Sequence, residues 1–137
     1  MTRKRIILVL AIVLSFGLGC AKAPPTIVPS APPPIGSLNC AVVGQVACTF
    51  DVDTNATLAA AHAIVLRVVT DNNAGNFVLT ASQKSLLNQI VDDLNLADAI
   101  FQAWHNAGGS GSTVPVQSAV AKVQADQNAL NAVVGGK

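Results

Sequence analysis

Glutamate and tyrosine are absent from this chain of 137 residues, aromatic side chains make up 4% of it and charged ones 11%. An ordinary soluble domain carries about 25% charged residues. So little charge excludes a chain kept open by its own repulsion and favours a folded, weakly charged one. Basic residues become scarcer once the chain is divided. Three of the eight, Arg3, Lys4 and Arg5, precede a hydrophobic block. Beyond residue 19 only Lys22, Arg67, Lys84, Lys122 and Lys137 remain, against seven aspartates. No basic stripe is left for a phosphate backbone, which sets nucleic-acid binding aside. The length allows one small domain.

Missing motifs narrow the chemistry. No G-x-S-x-G, glycine-rich phosphate loop or Cys/His pairing occurs. Asp92 and Asp93 are adjacent, and adjacent positions on a helix point about 100° apart, so they read as a solvated face. A metal site needs about three converging protein ligands. Asp98, Gln102 and His105 share a helix face, but only two of them are good ligands. His62, one turn from Leu58, reads as a satisfied edge histidine. His105 sits near a helix end, where a partly cationic ring suits the C-terminal dipole. No cofactor, metal site or catalytic residue is expected, and the chain does not read as an enzyme.

What is present begins with an address. Arg3-Lys4-Arg5 is followed by Ile6 to Leu18, thirteen residues without charge and with Ser15 as the one polar side chain. A positive segment before a short apolar run is the pattern of a secretory signal peptide. It is shorter than the roughly 20 apolar residues a permanent membrane span needs. The block ends in Gly17-Leu18-Gly19-Cys20. This resembles the lipobox of bacterial lipoproteins, in which a small residue stands just before an acylated cysteine. Gly17 occupies the place where that family usually has leucine. The resemblance covers residues 1–20 and implies cleavage before Cys20 with diacylglycerol and further acyl groups, such as palmitate, on that cysteine. Two or more acyl chains anchor a protein stably, without a spanning helix. With Ala21 rather than aspartate after the cysteine, the resemblance implies the outer membrane, facing the periplasm, in a cell with two membranes.

Residues 20–38 hold six of the seven prolines. Proline fixes φ and lacks an N–H, so neither helix nor sheet is expected through Pro24-Pro25 or Pro32-Pro33-Pro34. Extended polyproline II, at about 3.1 Å per residue, makes this segment a spacer.

Cys40 and Cys48 remain as a pair in an exported chain, which favours a structural disulfide over a redox or metal pair. Closing so short a loop stabilises by about 2–3 kcal/mol. The intervening Ala-Val-Val-Gly-Gln-Val-Ala is nearly symmetric about Gly44 and predicts a β-hairpin over 39–53. A helix would hold the two cysteines about 12 Å apart along its axis, too far to bridge.

Three helices are expected within 54–137. The first runs over about 56–70, after cap signals at Asp53-Thr54-Asn55, with Leu58, Ala61, Val65 and Val68 on its apolar face and Ile64 and Val69 alongside. The second covers 81–106. Thr80 and Gln83 have capping-box spacing, and Leu87, Ile90, Leu94, Ala97, Phe101 and Trp104 recur in steps of three and four. The third covers 114–134, with Val116, Val120, Val123, Leu130 and Val134 in its stripe and Gln127 interrupting it. Short connections predict a mainly α fold, a small antiparallel three-helix bundle with a disulfide-linked hairpin at its N-terminal side. The first helix is too short to cover the late half of the second. The hairpin is therefore expected to cap Trp104; left uncapped, Phe101, Trp104 and His105 form the candidate partner-binding spot.

The sequence thus reads as a membrane-anchored, non-catalytic lipoprotein of the cell envelope, with an envelope protein or its own copies as partner. Two alternatives stand beside it: a phage-derived envelope lipoprotein, spanin-like or excluding rival phage, because tether and stalk resemble such proteins, and a small metal-dependent or hydrolytic enzyme.

Overall fold

In the computed structural model, residues 36–134 are described; the segment expected to be a signal peptide, Cys20 and most of the proline-rich segment lie outside them. The described residues are mainly helical and contain no strand. Four helices follow in order: α1 (Cys40–Val43), α2 (Gln45–Asn73), α3 (Ala81–Asn106) and α4 (Val114–Val134).

The expected hairpin over 39–53 is corrected to helix. Asn39 caps α1 by accepting the Ala41 N–H at 3.1 Å. Gly44 then interrupts the helical path at φ 87° and ψ 158°, a left-handed conformation that glycine adopts without a Cβ penalty. The 12 Å separation assumed one continuous helix, whereas the chain here is two helices broken at Gly44. The break at Gly44 folds α1 back on the first turns of α2, so Cys40 and Cys48 lie 5.5 Å apart at Cα and form the disulfide. Symmetry about a glycine marked a bend between helices, not a β-turn.

The first long helix also starts eleven residues earlier than expected and ends three later. Asp53, Thr54 and Asn55 look like caps, but the helix runs through them. Thr54 is buried, and Thr57 donates its hydroxyl back to the Asp53 carbonyl at 2.8 Å. At about 1.5 Å per residue α2 spans about 43 Å, enough to run beside all of α3. Helix α3 begins as its sequence predicts: the Thr80 hydroxyl accepts the Gln83 N–H and the Gln83 side chain accepts the Thr80 N–H, a complete capping box.

The three long helices touch one another pairwise, α3 and α4 most extensively. They share one apolar core. From α3 come Leu87, Ile90, Leu94, Ala97, Phe101 and Trp104, every member of the expected seam; from α2 Leu58, Ala61, Val65 and Val69; from α4 Val116, Val123 and Leu130. Phe101 is 0% exposed, a burial that contributes about 1.5–3 kcal/mol relative to leaving such a side chain in water.

Candidate functional site

Most of the unusual chemistry of the described residues lies between α2 and α3. Asp51 and His62 stand eleven residues apart on α2, about three turns, and Asp98 and His105 seven apart on α3, about two turns. Each set therefore lies along one helix face. The helices cross these faces so that each aspartate meets the histidine of the other. His62 Nε2 lies 2.6 Å from Asp98 Oδ2, and His105 Nδ1 lies 2.7 Å from Asp51 Oδ1. Asp51, His62 and Asp98 are all more than nine-tenths buried, and His105 is partly so. A carboxylate can only accept, so the facing ring nitrogen in each pair carries the proton.

A ring of aromatic side chains closes the end of this seam. Phe50 of α2 meets Trp104 edge-on, with centroids 5.0 Å apart and an interplanar angle of 79°. Phe101 stacks on Trp104 at 6.2 Å and 19°, and its edge meets His105 at 6.2 Å. Leu38 and the turn after α3 complete the cover. A Cβ built on Gly109 would lie 2.8 Å from Leu38 Cδ1 and 3.4 Å from Trp104 Cη2, and φ there is 69°. The left-handed φ favours glycine there, and a side chain would also have to push the end of Leu38 aside.

The sequence-derived sites are distributed as follows. Cys20 lies outside the described residues. Cys40 and Cys48 are bonded to each other. Phe101 and Trp104, proposed as partner contacts if uncovered, are 0% and 6% exposed beneath the segment that carries the disulfide. His105, the third, is held by Asp51. All three lie against residues of the chain's own fold. The Asp51–His105 and His62–Asp98 pairings were missed. Asp51 falls inside the expected hairpin, which has no helical phase to share with His62; a helix extended to residue 45 puts both on one face.

What can two such pairs do? An imidazole oriented by a carboxylate serves as a general base only when its other nitrogen reaches a substrate or nucleophile. His62 Nδ1 is buried without a hydrogen-bond partner among the described residues. No serine, threonine or cysteine there hydrogen-bonds either ring. Nor does any group of three or more His, Cys, Asp or Glu side chains converge as a metal site among those residues. The pairs act as polar cross-links between helices.

A third polar group joins α3 to α4. Lys122 binds Asp93 and lies 3.5 Å from Asp126, one turn along its own helix. The hydrogen bond from Lys122 holds the Asp93 carboxyl below the ordinary carboxylate range. Burial pushes Asp126 up, with the Asp93 carboxylate beside it adding to the rise. Both carboxylates raise the Lys122 ammonium above its ordinary value, Asp93 most through its hydrogen bond. Asp92, beside them in sequence, is exposed and points elsewhere.

Set against protein-family models, curated proteins and solved structures, this chain matches none.

Proposed function

We propose that the chain is an exported lipoprotein, held at a membrane by acyl chains on Cys20, which presents a small non-catalytic helical domain to another envelope protein or to copies of itself. The observation that carries this reading is the order Arg3-Lys4-Arg5, a short uncharged apolar block, then Gly19-Cys20. The proline-rich segment after it suits a spacer between membrane and domain. The Cys40–Cys48 disulfide supports export, because such bonds persist in oxidising compartments.

The domain itself is read as an antiparallel three-helix bundle. Phe50 near the start of α2 meets Trp104 near the end of α3, and only a short turn separates α3 from α4, both of which favour alternating directions. A non-catalytic role accords with imidazoles spent on inter-helix pairs. In a cell with two membranes, Ala21 favours the outer one.

Cys20→Ser tests the reading directly. The parent chain is expected in the membrane fraction, with a mass raised by its acyl groups, and the variant is expected to lose both properties. A variant that sediments with membranes as the parent does, at unchanged lipid content, overturns it.

A further inference from the structure

Helix α2 is apolar on two faces, and the fold uses one. Its mean hydropathy reaches 1.2 over an 18-residue window of which 33% is buried. A helix apolar all round is ordinarily covered all round. The uncovered face has its own order. Val52, Ala56, Ala59, Ala63 and Leu66 recur in steps of four and three, all exposed, Val52 at 62% and Leu66 at 54%. This is the spacing of a coiled-coil seam, running beside the buried stripe rather than within it. Leucine and valine at its ends with alanines between allow two helices to approach closely.

We propose that this face binds the same face of a second copy, the two α2 helices lying antiparallel across a two-fold axis. Charge selects that occupant and that direction. The exposed positions flanking the seam on one side are Asp53, Ala60 and Arg67, spaced by sevens. Antiparallel pairing that sets Ala56 against Leu66 of the other copy, and Ala59 against Ala63, brings Asp53 of each copy to Arg67 of the other. Ala60 then meets its own counterpart at the axis. Parallel pairing would instead put the Asp53–Arg67 flank of one copy across from the opposite flank of the other, so that Asp53 and Arg67 could not meet.

Both charges are available for this. Arg67 is 85% exposed in its side chain and reaches only Asp71, at 3.8 Å, while Asp53 has no ion-pair partner among the described residues. An open hollow lined by Cys40, Cys48, Thr49, Val52 and Asp53 lies at the seam's first turns, where that arginine would arrive. A two-fold interface is self-complementary by necessity, as this face is.

The inference names the partner left open above, and it takes only its membrane setting from that reading. In membranes from cells making the full chain, Ala60→Cys is expected to give a thiol-crosslinked species of twice the protomer mass, severalfold above an exposed control on α3, Ser85→Cys. In the Ala60→Cys background, Asp53→Arg or Arg67→Asp alone should cut that yield severalfold. The two together should restore it, because the pair is only turned round; both positions are exposed, so the fold is spared. Linking no greater than at residue 85, a product with the mass of one protomer plus a foreign protein, or no recovery in the double swap each overturns the proposal. The tether is judged separately. If Cys20 is not acylated, the chain leaves the membrane fraction whether or not the crosslinked product forms.

Discussion

Helix α3 is covered by α2 on one side and α4 on another, and the two seams use different materials. Toward α4 the helices approach closely, α4 contributes valines and a leucine, and charge is confined to the rim at Lys122, Asp93 and Asp126. Toward α2 the seam carries two His–Asp pairs in its interior and aromatic rings at one end. An aliphatic seam tolerates small slides, since apolar contact has no direction. The crossed pairs do not. Moving α2 by one turn along α3 would separate both histidines from both carboxylates and leave buried polar groups unpartnered, at about 1–3 kcal/mol each. One seam supplies area, the other fixes register.

Removing half of a buried pair should break this contrast most sharply. His62→Ala leaves Asp98 alone in the interior and is expected to cost about 3–5 kcal/mol in chemical denaturation. Replacing His62 and Asp98 together by leucine should recover most of that loss, because no stranded charge remains. Hydrogen exchange should locate the damage: amides of α2 lose protection in His62→Ala while those of α3 and α4 facing each other keep theirs. Uniform loss across all three helices would refute the division into two seams.

Next in size is Cys48→Ser, expected to lower stability by about 2–3 kcal/mol, with the early exchange confined to α1 and the first turns of α2. Thr80→Ala opens the capping box at a helix common to both seams. It should cost about 1 kcal/mol and lower protection on both sides alike. The smallest effect belongs to Lys122→Met, which touches the α4 side alone and depends on pH. Asp93 is held low, so its contribution is present above the ordinary carboxylate value and is lost as pH falls through its folded one. Asp126 is held high, so its contribution is present below the ordinary value and is lost as pH rises through its folded one. Removing the ammonium should therefore lower the melting temperature near neutral pH, and the gap from the parent should close in acid, where both carboxyls are neutral.

These seams were unequally legible in the sequence. Leu87 through Trp104 announced itself because a repeat in threes and fours, opened by Thr80 and Gln83 and closed by glycines, has one physical reading. Val116, Val123 and Leu130 followed for the same reason. The early part of α2 was misread because its local signals pointed elsewhere: β-branched residues around Gly44 suited a hairpin, and Asp53-Thr54-Asn55 suited a cap. Burial of Cys48, Asp51 and Thr54, with Asp51 paired to His105 of α3, overrode both preferences, and such tertiary compensation leaves no periodic mark nearby. The disulfide was legible as a pairing but not as a shape, since a short link permits any backbone that brings two Cα atoms within reach. The His–Asp crossings were invisible for a related reason: they depend on the phase of two helices, and one of those helices had been cut short.

The bond across the Gly44 break also has a mechanical side. Tension applied to the chain ahead of residue 40 passes through sulfur into the backbone at Cys48, bypassing the seven residues between. It enters α2 one turn before Asp51 and loads the helix along its length against α3. Sliding requires many contacts to yield together, whereas peeling from a loose end breaks them one at a time, so the crosslink would make the domain resist a pull from that side.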